Sequence, residues 1–417
     1  MRSLRKFALL SGVALGAVAG LIAGAQAAET KGPVTDDIGV WVIPKGAPIQ
    51  IGGYWVLSGP DTALGTDQKR AVEIAIKNIG GKLVGHPIKF NAEDSLCNSE
   101  GGQTAATKLA ANPNTVIVIG PACSSAATPG APILWKAGIT SIGTSPTAPP
   151  LTAPDRKPEY AGFVRTVYSD IDQGKSDAKY FHDVLKVQKI VTIHDGSPYA
   201  RGLALEMAKN FKAMGGTILS EEAIQPTDVD MHPLLTRIAT EKPDAVYFPI
   251  FVAAAAQIIR QVKDTPGMEK VAMIGSSGLM APDLIEAAKD AVVGFRITYP
   301  DLSPEAMGKG YPKFVTEYKK AYGEAPISGY HANAYDGAEL AFKAIEKVAK
   351  TDSKGVTYIG KKALRDAVFA TKFEGISGPI ACDPYGECAQ FKPAVYQFTN
   401  ADPKTYDIGK NPKKIWP

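Results

Sequence analysis

Thr115–Thr152 reads TVIVIGPACSSAATPGAPILWKAGITSIGTSPTAPPLT. Its first five residues are continuously apolar, as in a strand buried on both faces of a parallel sheet. A turn of Ser and small residues follows, then a short helix, a second strand and a second Ser/Thr turn. A strand that runs into a helix leaves backbone N–H groups without partners at the helix start, and these favour an anion. Two such ends lie close together here, at Cys123-Ser124-Ser125 and at Ser145-Pro146-Thr147. Two hydroxyl-bearing turns can hold one carboxylate between them.

Outward from this stretch the chain alternates strand and helix. The expected strands are Ile49–Leu57, Pro87–Ala92, Lys189–His194, Ala245–Ile250 and Val271–Ile274. Expected helices follow at Gln103–Ala111, Ala253–Val262 and Pro282–Ala291, with a further one carrying Leu203, Met207, Phe211 and Met214 on one stripe. Two βαβα blocks of similar size predict an α/β fold of two doubly wound, Rossmann-like lobes. The C-terminal helices Pro312–Tyr322, Tyr330–Ala349 and Lys361–Ala370 are too few for a third domain. They complete the lobes already begun, so the chain crosses between lobes more than once.

Residues 1–27 read as a signal peptide cleaved after Ala27. Arg2, Arg5 and Lys6 precede an apolar run, and Ala25-Gln26-Ala27 is a small-x-small cleavage site. The mature protein is therefore expected in the periplasm. Residues 28–48 form an irregular N-terminal extension with no role legible in them. Loss of three cations takes the formal charge from +4 to near neutrality, so no nucleic-acid role has electrostatic support. About 390 residues remain, enough for two domains of ordinary size.

The four cysteines suit an oxidising compartment and allow three connectivities. The local pairing, Cys97–Cys123 and Cys382–Cys388, is favoured because Cys97 follows a strand neighbouring the one before Cys123. There is no Cys-x-x-Cys spacing for a metal, no Gly-x-Gly-x-x-Gly or Walker loop, and no Gly-x-Ser-x-Gly elbow around Ser124. None of the five histidines has metal-ligand spacing to another, and His194-Asp195 reads as a turn cap. No enzyme, no cofactor and no metal site is expected.

The motifs Ser58-Gly59-Pro60 with Gly65, Cys97 with Gly120-Pro121-Ala122-Cys123-Ser124-Ser125, and Ser145-Pro146-Thr147-Ala148-Pro149 occur in order. Arg165-Thr166 with Gln173-Gly174, His194-Asp195 with Tyr199 and Gly202, Gln257–Gln261 and Tyr335-Asp336 complete the series. In these the chain resembles the periplasmic solute-binding proteins of ABC importers of the branched-chain amino-acid type. The resemblance implies a type I periplasmic binding protein, two lobes joined by a three-strand hinge and closing on a small carboxylate for delivery to a membrane permease. Lobe 1 would comprise 49–168 and 296–375, and lobe 2 would comprise 169–295 and 376–417. The crossovers would lie near Thr166–Asp170, Phe295–Tyr299 and Phe373–Gly378.

It also implies a site. Ser124, the backbone of Ser145, and Thr147 would hold the carboxylate, while Tyr199, Phe251, Ser277 and Tyr330 would cover the rest. The leucine-type proteins carry a carboxylate where Ser277 stands and an aromatic where Leu64 stands. A buried ammonium needs a counter-charge. Either the amine is met by cation–π contact with Tyr330 and Phe251, or the ligand is an aromatic or aliphatic acid without an amine; the second is the expectation. A single chain acting alone is expected. The alternatives are a ligand-sensing regulator or receptor domain on the same fold, or an exported serine hydrolase with His194 as its base.

Overall fold

The computed structural model describes residues 28–417; the expected signal peptide lies outside the described residues. Two parallel-rich sheets, each wrapped by helices, account for two hydrophobic cores. The first sheet runs Lys82–Leu83, His86–Asp94, Ile49–Trp55, Thr115–Ile119, Thr140–Gly143 and Phe163–Arg165. The last five are mutually parallel, and every residue of Thr115–Ile119 is buried.

In the second sheet the order is Thr217–Ala223, Lys189–His194, Ala245–Phe248, Ala272–Gly275, Arg296–Pro300, Pro393–Gln397 and Lys413–Trp416. Its first five strands are parallel and its last two pairings antiparallel. Among the parallel strands of each sheet, the first in the chain is flanked by the second on one side and the third on the other. That arrangement makes a topological switch point, and ligands sit outside the carboxyl ends of the strands there. Gly120 makes the turn out of Thr115–Ile119 with φ +109°, a conformation that a side chain would strain.

Sheet membership departs from the expected lobe boundaries. Arg296–Pro300 pairs with Pro393–Gln397 in the second sheet, so lobe 1 resumes after that strand rather than at 296. Conversely, Pro379–Ala381 pairs with Lys372–Glu374, and Ile376, Ile380 and Cys388 pack in the first core. The return to the second sheet therefore comes at Pro393 and not at 376, and the second and third crossings lie later than expected. The first crossing follows Phe163–Arg165 and leads into the helix Asp170–Lys179.

The extension is not irregular. Glu29–Lys31 and Val34–Asp36 form a hairpin, and Val40–Ile43 pairs antiparallel with Thr357–Gly360. Trp41 and Ile43 are buried in the first core. The Asp36 carboxylate accepts the amides of Lys362 and Ala363 at 3.1 and 2.9 Å, capping the helix Lys361–Ala370. The helix expected from Gln103 begins at Ser99, because Asn98 accepts the Gly101 amide at 2.8 Å and starts it a turn earlier. Both local disulfides are formed, Cys97–Cys123 and Cys382–Cys388.

Candidate ligand cavity between the lobes

Ser124 begins the helix Ser124–Lys136, and its Oγ accepts the Ala148 amide at 3.1 Å. That contact ties the two Ser/Thr turns together and leaves the Ser124 hydroxyl proton free to donate. The Ser145 hydroxyl is already engaged, donating to Ala122 O at 2.7 Å and accepting from Gln68 Nε2 at 2.9 Å. Only its backbone is left available. Thr147 Oγ1 is buried with no partner. This wall therefore presents hydroxyl protons and helix-start amides, and it fits an oxyanion.

Arg165 supports the wall from behind. The guanidinium is fully buried, and Nη1 donates to the carbonyls of Pro146 and Ala148, both at 3.0 Å. Nε and Nη2 donate to Glu387 on the Cys382–Cys388 loop. With the 146 and 148 carbonyls turned towards Arg165, the turn keeps a fixed orientation.

The opposite wall comes from the second lobe. Tyr199 stands in the first turn of the helix Pro198–Ala213, whose cap is Ser197. His194 and Asp195 both shape that turn, accepting from the amides of Gly196 and Ser197. The Tyr199 hydroxyl lies 3.0 Å from Ser277 Oγ and accepts the Gly278 amide at 3.1 Å. Its ring packs 5.4 Å from that of Phe251, which precedes the helix Val252–Gln261. Tyr330, at the start of the helix His331–Val348, has its hydroxyl 2.8 Å from that of Tyr168. Burial pushes its phenol up to about 12 and raises that of Tyr199 further, so both rings stay neutral.

These pieces line one narrow, partly open cleft with a free volume of about 20 Å³, formed by Leu64, Ser124, Ser145, Thr147, Tyr199, Phe251, Ser277 and Tyr330, with Ala122, Cys123 and Gly278. The structure thus brings all seven residues singled out in the sequence to one place. No charged side chain is among the lining residues. At its mouth, Asp61 of lobe 1 accepts the Val252 amide of lobe 2 at 3.4 Å.

Sequence reasoning quoted Arg165 only as part of a motif, without its supporting role, and assigned no site role to Tyr168 or Asp170. Asp170 opens the helix Asp170–Lys179 and is wholly buried, with neither carboxylate oxygen hydrogen-bonded. Burial pushes it up to about 7, partly offset by the nearby Thr147 hydroxyl and the Arg165 charge. An Asp in a first helical turn is ordinarily a favourable partner for the helix dipole, so its sequence position carries no sign of this burial.

Fold and cavity together define a two-lobed solute-binding protein with a candidate ligand site shared between lobes. The chain belongs to the periplasmic binding protein family, whose model matches residues 48–401. It is of the branched-chain amino-acid type and is a binding protein rather than an enzyme. The leucine-specific-binding protein of Salmonella typhimurium is 26% identical over 381 residues, covering 91% of this chain and 95% of that one. A leucine binding protein from Thermotoga maritima superposes with a TM-score of 0.75 at 23% identity, covering 85% of this chain and 96% of that one. A solute binding protein of an ABC transporter from R. palustris, solved in complex with benzoate, gives 0.70 at 21% identity over 88% and 96%. At these identities the two structures speak for the fold alone.

Proposed function

We propose that this protein captures an amine-free carboxylate, an aromatic acid bearing a hydroxyl or other polar substituent, and delivers it to the permease of an ABC importer. The observation that carries this reading is the asymmetry of the cavity. One wall has Ser124, Thr147 and strand-end amides to receive a carboxylate. The other has Ser277 and two neutral phenols where an ammonium would need a carboxylate. Tyr199, Phe251 and Leu64 supply a flat apolar flank of the kind aromatic rings favour.

Benzoate in a structural relative of the same fold agrees with that chemistry. Ligand contacts from both lobes fit capture by hinge closure, with Asp61 and Val252 meeting as the mouth shuts. Cleavage after Ala27 would release the protein into the periplasm, where the closed form meets its permease.

Thermal unfolding of ligand-stripped mature protein tests the reading. Benzoate, 4-hydroxybenzoate and phenylpropanoid acids are compared with leucine, isoleucine and valine. A ligand at a hundred times its Kd adds about 2.7 kcal/mol of stability. Stabilisation by the amine-free acids alone is expected; stabilisation by the amino acids alone would overturn the reading.

A further inference from the structure

A second and larger pocket opens where the N-terminal extension packs on lobe 1, with a free volume of about 590 Å³. That volume is in the range of small-molecule sites. On one side stand Glu29 and the strand Val40–Ile43. On the other are the amino ends of Ile49–Trp55 and Thr115–Ile119, where Gln50 and Thr115 are register partners. The candidate ligand cleft follows the carboxyl ends of these same strands, so the two sites lie at opposite edges of one sheet. The extension precedes the residues that the family model matches, which begin at 48. The family's shared fold therefore does not supply this pocket.

Most of its wall is Val, Ile, Pro and Ala. Lys361 is the cation in it, half-buried, donating from Nζ to Ala137 O at 2.9 Å and lying 5.1 Å from the centre of the Trp41 ring. An ammonium has three protons to place, and among the described residues no carboxylate pairs with this one. Glu29 and Asp36 act on it only from a distance. Glu29 is held by the Val40 amide and Lys31, and Asp36 by the amides of Lys362 and Ala363. Burial accordingly holds the Lys361 ammonium below the usual lysine range. Gln50 offers a second donor. Asn112 Oδ1 accepts the Asn114 amide at 3.1 Å, which fixes Asn112 Nδ2 on Gln50 Oε1 at 2.7 Å; Asn91 Nδ2 reaches the same oxygen at 3.3 Å. Gln50 Nε2 is thereby left without an acceptor among the described residues. Thr115 Oγ1, beside it in register, is buried with no hydrogen-bond partner. A partly desolvated cation and spare donors against an apolar wall call for an anion with an apolar body.

We propose that this pocket binds a small monocarboxylate with an apolar body, its carboxylate on Lys361 and Gln50 and its chain or ring against Trp41. One cation with Glu29 on the same wall suits a single negative charge and disfavours a phosphate dianion. The ligand bridges two parts of the chain, since Trp41 belongs to the extension and Lys361 and Gln50 to lobe 1. Occupancy holds the strand Val40–Ile43 in place and leaves the cleft free for its own ligand.

Octanoate is the probe, octylamine its oppositely charged control, and 5-fluorotryptophan in the mature protein the reporter. The chain has four tryptophans, and the spectrum of Trp41→Phe assigns the Trp41 fluorine signal. A saturable shift of that signal with octanoate, and none with octylamine, is expected. Lys361→Met should weaken octanoate binding about tenfold and Gln50→Ala about fivefold, the loss of one charged and one neutral hydrogen bond. Ser124→Ala, in the cleft, should leave the titration where it is. No shift with octanoate, equal shifts with both amphiphiles, or binding untouched by Lys361→Met would each overturn the site. A titration lost in Ser124→Ala would also overturn it, because the Trp41 signal would then be reporting the cleft. Should Lys361→Met fail to fold, Gln50→Ala and the octylamine comparison decide.

Discussion

Replacing Arg165 with Met should unseat the wall that carries Ser124 and Thr147. The guanidinium is fully buried, and it satisfies two backbone carbonyls, at 146 and 148, together with Glu387, whose side chain is 25% exposed. Methionine fills much of the volume and supplies no donor. Each buried carbonyl left without a partner costs about 1–3 kcal/mol. Breaking a buried ion pair costs about 3–5 kcal/mol when the remaining charge stays dry. Glu387 can recover water on its exposed side and keeps the Thr152 hydroxyl, which places the expected loss at the lower end, about 3 kcal/mol. Glu387→Gln leaves the buried member charged and should cost as much or more. Urea unfolding of both single variants and the double variant measures the coupling directly, and a value above about 1.5 kcal/mol is expected. An Arg165→Met loss below about 1 kcal/mol would refute the reasoning, since it would mean that neither the carbonyls nor Glu387 depend on the guanidinium.

Removing the Cys97–Cys123 disulfide as a double Ser variant opens a loop spanning 26 residues. Chain entropy puts the loss at about 3.5 kcal/mol, read by the same urea assay. Gly65→Ala would set a methyl 1.9 Å from the Val56 carbonyl oxygen, against backbone that cannot rotate away. A destabilisation of about 1–3 kcal/mol is expected, seen as a lower Tm. Asp61 is pushed from 3.8 to about 6 by burial and by Asp283 and Asp195 across the mouth. Its closed-state pKa is raised, so this contribution to closure is fully present below the ordinary value and is lost as pH rises through about 6. Ligand Kd measured from pH 4.5 to 6.5 should therefore weaken with pH in the wild type and flatten in Asp61→Asn.

The two doubly wound lobes were legible because parallel strands buried on both faces leave unbroken apolar runs such as Thr115–Ile119. The hydroxyl turns at Ser124 and Thr147 were legible for a related reason: strand-to-helix junctions concentrate small polar residues where amides need partners. Boundaries fared worse. Arg296–Pro300 takes its lobe from Pro393–Gln397, a partner far along the chain whose identity no local pattern reveals. Phe163–Arg165 is only three residues long and ends in a buried cation, so it carries none of the usual signs of a strand. The burial of Asp170 was as illegible as the supporting role of Arg165, a residue quoted only within a motif. What distinguishes each is what surrounds it once both lobes are packed.

The strand Val40–Ile43 has no partner of its own until Thr357–Gly360 has been made, and Asp36 caps a helix that follows those residues. Of the described chain, one of the first pieces to be synthesised is thus among the last that can dock. Throughout translation that edge stays open, and lobe 1 cannot finish until nearly the whole chain exists. Such a polypeptide remains threadable for as long as it is growing. Its final locking is a late event, and Trp41, buried only when that strand docks, is a built-in fluorescent marker of the moment.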